Sequence, residues 1–145
     1  MAEDASMNGA CHCGTVRLRV KLSNGLRSAR RCDCSFCRMR GAVVVSAALD
    51  DLQVMAGADA LSTYQFNTMT AKHHFCSVCG IYTHHQRRSN PNQYGVNVAI
   101  LEGVSPFDFR EVLVMDGVHH PSDGHPGDGV AGILRYEPAD KKKAR

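Results

Sequence analysis

Seven cysteines carry the first chemical signal in this sequence. They fall in three tight groups: Cys11-x-Cys13, Cys32-x-Cys34-x-x-Cys37, and Cys76-x-x-Cys79 followed at once by Gly80. A short spacer lets one turn bring two sulfurs to a common point, as a metal requires, whereas a disulfide inside such a pair would be strained. Small buried hydrophobes would not gather in this way, and an odd number cannot all be paired as disulfides. Thiolates select zinc, iron–sulfur clusters or Cu(I). A Cys-x-x-Cys-Gly knuckle suits zinc, because Gly permits a positive φ behind the second ligand. An iron–sulfur cluster is the main rival.

Seven ligands divide naturally into four and three. Cys11, Cys13, Cys76 and Cys79 would make a closed four-thiolate site, the structural kind. Cys32, Cys34 and Cys37 would make an open one, leaving a position for water or substrate. The closed site would tie residue 11 to residue 79. Spacing alone leaves the partition open, since one of the eight histidines (His12, His73, His74, His84, His85, His119, His120 or His125) could complete the second site.

The elements that must position these thiols are short. The chain has 145 residues, 43% of them hydrophobic and 21% charged, which fits one globular domain spanning 1–145 with loose ends at about 1–8 and 138–145. There is no Trp, and only 4 Tyr and 5 Phe, so metal stapling would offset a thin aromatic core. The acidic start, Met1 to Asp4, has no apolar signal segment, and no apolar run is long enough to span a bilayer, so a cytoplasmic setting with reduced thiols is expected. A net charge of +3 is too mild to argue for nucleic acid.

Val16, Leu18, Val20 and Leu22 alternate with Arg17, Arg19 and Lys21, as in a half-buried strand. Ser23 to Gly25 reads as a turn, and Arg27 to Arg31 as a strand leading into the cysteine triple. Ser35 to Arg40 reads as one helical turn ended by Gly41. Further strands are expected at 42–45, 52–55, 63–67, 72–75, 81–85, 94–100, 111–115 and 133–136. The Gly- and His-rich stretch 116–130 reads as a long loop. The expected fold is therefore mostly β: a small single domain of short antiparallel strands built around cysteine zinc knuckles.

Three linked motifs then resemble one family. They are Cys11-His-Cys-Gly14 with Thr15 and Val16, Cys32-Asp-Cys-Ser-Phe-Cys-Arg38 with Gly41, and Phe75-Cys-Ser-Val-Cys-Gly80. In order and spacing they are similar to the glutathione-dependent formaldehyde-activating enzyme family, which includes the centromere protein V group; the likeness spans about residues 8–115. The resemblance implies a structural zinc on Cys11, Cys13, Cys76 and Cys79, and a second zinc on Cys32, Cys34 and Cys37. It also implies a carbon–sulfur lyase activity, joining glutathione to formaldehyde to give S-hydroxymethylglutathione.

On that reading the second zinc holds a thiol as thiolate, which attacks a small aldehyde. The partners are a small-molecule thiol and aldehyde, with glutathione the expected co-substrate and Cys32, Cys34 and Cys37 the catalytic group. Arg38, next to the triple, is the candidate for a glutathione carboxylate; for Arg30, Arg31 and Arg40 a solvated surface role and a binding role compete in the same way. His84 or His85 is a candidate proton shuttle. Two alternatives compete: a non-catalytic zinc module binding a protein or nucleic acid through its arginines, and a redox or metal-buffering triple. The sequence leaves the aldehyde, the identity of the thiol and the oligomeric state open.

Overall fold

The computed structural model describes residues 5–119, 124 and 129–140. Among the described residues the chain forms twelve strands, one short α-helix and four 3-10 turns. A three-stranded antiparallel sheet has the order β1 (Met7–Ala10), β2 (Arg17–Val20), β6 (Leu52–Ala56). An eight-stranded sheet runs β12 (Val130–Arg135), β11 (Glu111–Met115), β4 (Arg30–Cys32), β5 (Val44–Ala48), β10 (Gln93–Asn97), β9 (Tyr82–Gln86), β8 (Lys72–Cys76), β7 (Leu61–Tyr64). β3 (Ser23–Leu26) packs beside β5. The expected mostly β, single-domain fold is the one observed.

The core lies between the sheets. Leu18 and Val20 point inward from β2 while Arg17 and Arg19 point out, as their alternation requires. They meet Val45 and Ala47 of β5, and Val96 of β10 with Val98 beyond it, in one cluster of aliphatic side chains. Six of the seven described pairings in the large sheet are antiparallel; the exception is β11 with β4, which run parallel and set Met115 opposite Cys32.

Several elements differ from the sequence reading. The stretch expected to be a loose N-terminus contains β1, which pairs along β2 from Met7 to Ala10. Ser23 to Gly25 is strand, and the turn falls after it, where the Arg27 amide donates to Asn24 and the Ala29 amide to Leu26. β10 stops at Asn97, whose side chain accepts from the Ala99 amide and donates to the Tyr82 carbonyl, turning 98–100 into a 3-10 helix. Most of the 116–130 loop, and the basic run at 141–143, lie outside the described residues. Among the described residues no helix is long and apolar enough to cross a membrane.

Candidate metal centre and cavity

The fold gathers the thiols into two groups. Cys11 and Cys13 sit in the turn between β1 and β2; Cys76 ends β8 and Cys79 lies in the turn before β9. One cluster therefore joins the small sheet to the large one. The second comprises Cys32 at the end of β4, Cys34, and Cys37 at the start of α1 (Cys37–Arg40). Within each group the sulfurs lie within 4.8 Å of one another, and all seven cysteines are free thiols.

The donor chemistry fits zinc. Four sulfurs at tetrahedral Zn–S bonds near 2.3 Å stand about 3.8 Å apart, and Cys13 Sγ lies 3.6 Å from Cys11 Sγ and 3.8 Å from Cys76 Sγ. Backbone amides support thiolates in both clusters. The Val16 amide donates to Cys11 Sγ and the Val78 amide to Cys76 Sγ, each at 3.3 Å. Gly80 holds φ at 79°, the left-handed turn the knuckle needs. Backbone donors, first that of Cys13, hold the Cys79 thiol down at about 6. In the second cluster the Cys37 amide donates to Cys34 Sγ at 3.2 Å. Hydrogen bonding with Cys32 and Cys37 lowers the Cys34 thiol, while Cys37 is raised by the same contacts. One negative charge is thus readily formed and shared, and a cation is needed before all three sulfurs can ionise.

The clusters differ in access. Cys11 and Cys76 are buried and pack with Val16, with Leu61 alongside, while Cys13 is exposed. The triple instead opens into a cavity of about 330 Å³. Gly117 closes over it from β11's end. A Cβ there would stand 2.5 Å from Cys32 Sγ and 2.5 Å from Cys34 Cβ, so a residue without a side chain is required. Its amide donates to Asp33 Oδ1 at 2.8 Å, and the Asp33 amide to the Met115 carbonyl, which fixes this approach.

Five arginines line the cavity: Arg30, Arg31, Arg40, Arg87 and Arg88. Arg30 is pushed down to about 10 by burial and then by the nearby Arg87 charge. Asp116 also lines the cavity, but it accepts from the His119 amide at 2.7 Å and faces its ring at 3.1 Å. The described lining is therefore cationic and suited to an anion. Arg38, the arginine favoured from its place beside the triple, is exposed on α1 and is not in the lining.

The histidines sort by strand alternation. His73 and His85 line the cavity, whereas His74 and His84 form a pair on the other side of the sheet. His84 lies within the sheet, not on a hairpin edge, and its ring meets Tyr94 edge-on. His85 Nδ1 is 2.5 Å from the Tyr82 hydroxyl. His73 had no cysteine motif to single it out, and Cys76, the cysteine of its own strand β8, shares its period-2 parity with His74 instead. Burial lowers all four histidines, His73 to about 4 and His84 to about 3.

Fold and site together define a mostly β domain with one closed and one open cysteine cluster, the open one facing an arginine-lined cavity. A model of the glutathione-dependent formaldehyde-activating enzyme family matches residues 6–112. The chain belongs to that family. It is 38% identical over 81 residues to a Halomonas elongata protein that bears the family name provisionally; the match covers 50% of this chain and 51% of the relative, so the chain spans about half the length of the curated relative it matches. It is also similar to a crystal structure of a Rhodobacter sphaeroides protein, at 66% identity and a TM-score of 0.72, over 73% of this chain and 97% of that one.

Proposed function

We propose that this protein is a zinc-dependent carbon–sulfur lyase that joins a thiol, glutathione foremost, to formaldehyde or another small aldehyde. The observation that carries this reading is the opening of the Cys32, Cys34 and Cys37 triple into a cavity lined by five arginines. The family's description supplies the thiol and the aldehyde. Cys11, Cys13, Cys76 and Cys79 would hold the structural zinc; Cys32, Cys34 and Cys37 would hold the second.

Bound at the triple, zinc would supply a fourth position at which a thiol is held as its thiolate. The chain's own residues do the rest. Arg30 and Arg87 line the cavity and would meet carboxylates of the co-substrate, and the other cavity arginines would add to the attraction. Phe66 walls the cavity, its ring beside those of Phe36 and His73. A volume near 330 Å³ lies in the range of pockets for small molecules.

The second reading, a module that binds nucleic acid, is less well supported. Of the arginines that cluster in the sequence, Arg30, Arg31, Arg40, Arg87 and Arg88 line a concavity, leaving Arg27 and Arg38 outside the lining. That arrangement suits a small anion better than a phosphate backbone.

The test is exchange spectroscopy on glutathione and formaldehyde with zinc-loaded protein. The interconversion with S-hydroxymethylglutathione should exceed the spontaneous rate, and Cys34→Ser should abolish the excess. Exchange at the spontaneous rate with both zinc positions filled would refute the reading.

A further inference from the structure

The cavity holds a second ordered group that the thiol chemistry above leaves unused. His73 Nδ1 lies 3.0 Å from an Arg40 guanidinium nitrogen. Arg has donors only, so Nδ1 must accept, and the ring's proton sits on Nε2. Arg40 is itself fixed: its guanidinium lies 3.7 Å from the Tyr82 ring centroid and 4.7 Å from that of Phe36, and it donates to Cys37 Sγ at 3.6 Å. The His73 ring is held by Phe36 at 4.5 Å, His85 at 5.1 Å and Phe66 at 5.8 Å between centroids. Among the described residues Arg40 Nε is the buried side-chain polar atom without a partner. His73 is only 5% exposed, its Nε2 is not among the buried polar atoms that lack a partner, and the residue lines the cavity.

We propose that His73 is a neutral hydrogen-bond donor, through Nε2–H, to the carbonyl oxygen under attack, and that Arg40 is the positioning residue that fixes this tautomer. This rests on the thiol–aldehyde reading. In that reaction the thiolate pair forms the C–S bond, and the C=O π pair moves onto oxygen. The oxygen then takes up the proton that the thiol gave to solvent, so the sum is thiol plus aldehyde to hydroxymethyl thioether. A donor already in place stabilises the charge as it develops. His73 is suited to remain uncharged: burial, then Arg40, hold it at about 4, with Cys34 acting weakly the other way and His74 with them.

Two measurements on the zinc-loaded full chain test this. Nitrogen-15 spectra should show His73 as the Nε2–H tautomer, and Arg40→Met should convert it to a mixture; an Nδ1–H ring in the native protein would overturn the proposal. In the exchange assay His73→Phe should lower kcat by roughly 100-fold, with zinc content unchanged, while His73→Gln, which keeps an amide donor, should recover much of the rate. Native-like rates in His73→Phe would overturn the His73 role and leave the thiol–aldehyde reading standing. No turnover by native protein would remove both, with the tautomer result unaffected. If His73→Phe fails to fold, the spectra and His73→Gln decide: a Gln variant roughly 100-fold slower than the native protein would also overturn it.

Discussion

His73 and His85 face one another across β8 and β9, with ring centroids 5.1 Å apart, and strand alternation sends their neighbours His74 and His84 to the other side of the sheet. Histidines are thus buried on both faces, and this has a pH consequence. His84 falls from an ordinary value near 6.5 to about 3, by burial and then by His74. Below 6.5 the unfolded chain takes up a proton that the folded ring refuses, so stability is lost as pH falls through this window. The slope from this one ring is about 1.4 kcal/mol per pH unit. Urea midpoints measured from pH 7 to pH 4 should fall more steeply for the native protein than for His84→Gln. Parallel slopes would contradict this.

Gly117 should be intolerant of even a methyl group. With Cys32 Sγ and Cys34 Cβ both 2.5 Å from the position of an added Cβ, Gly117→Ala must push the triple apart or lift the end of β11. Zinc affinity at the triple should fall by roughly 10–100-fold. The closed cluster lies elsewhere and should keep its metal, so zinc titration should show one tight site and one weakened one.

The closed cluster should behave as structure. Cys76 is fully buried, and its cluster joins the two sheets. Cys76→Ser should cost about 4 kcal/mol or more, read as a loss of the cooperative unfolding transition or a large fall in its midpoint. Cys34→Ser should lose one zinc and all activity, yet retain most of the stability.

Arginines in the cavity should set the affinity for glutathione, and the exposed one should not. Arg87→Met, losing a charged hydrogen bond worth about 1.5 kcal/mol, should raise KM roughly tenfold. Arg38→Ala should change it less than about twofold, as for other solvated charges. Saturation curves for the two variants distinguish these outcomes.

Much of this was readable in the residues. Three tight cysteine motifs suggested a four-plus-three grouping, which the family resemblance then assigned to particular residues, and the alternation from Val16 to Leu22 gave the inward face of β2. Legibility failed where contacts cross long stretches of chain. Nothing near Arg38 says that α1 turns it outward while Arg40, two residues on, turns inward to Tyr82. Nothing local to Gly117 reveals that it rests on Cys32, because the parallel pairing of β11 with β4 brings them together. The strand at Met7 was hidden because its pattern is short and its partner, β2, supplies the register.

The central claim is that the three-thiolate site accepts a thiol as its fourth ligand. Cobalt(II) substituted at both sites of the full chain would report this directly through its sulfur-to-metal charge-transfer absorption. Adding glutathione should intensify that band and shift the ligand-field spectrum toward four-sulfur coordination, saturably, and Cys34→Ser should remove the response. A spectrum unmoved by glutathione, with the second site loaded, would contradict the account.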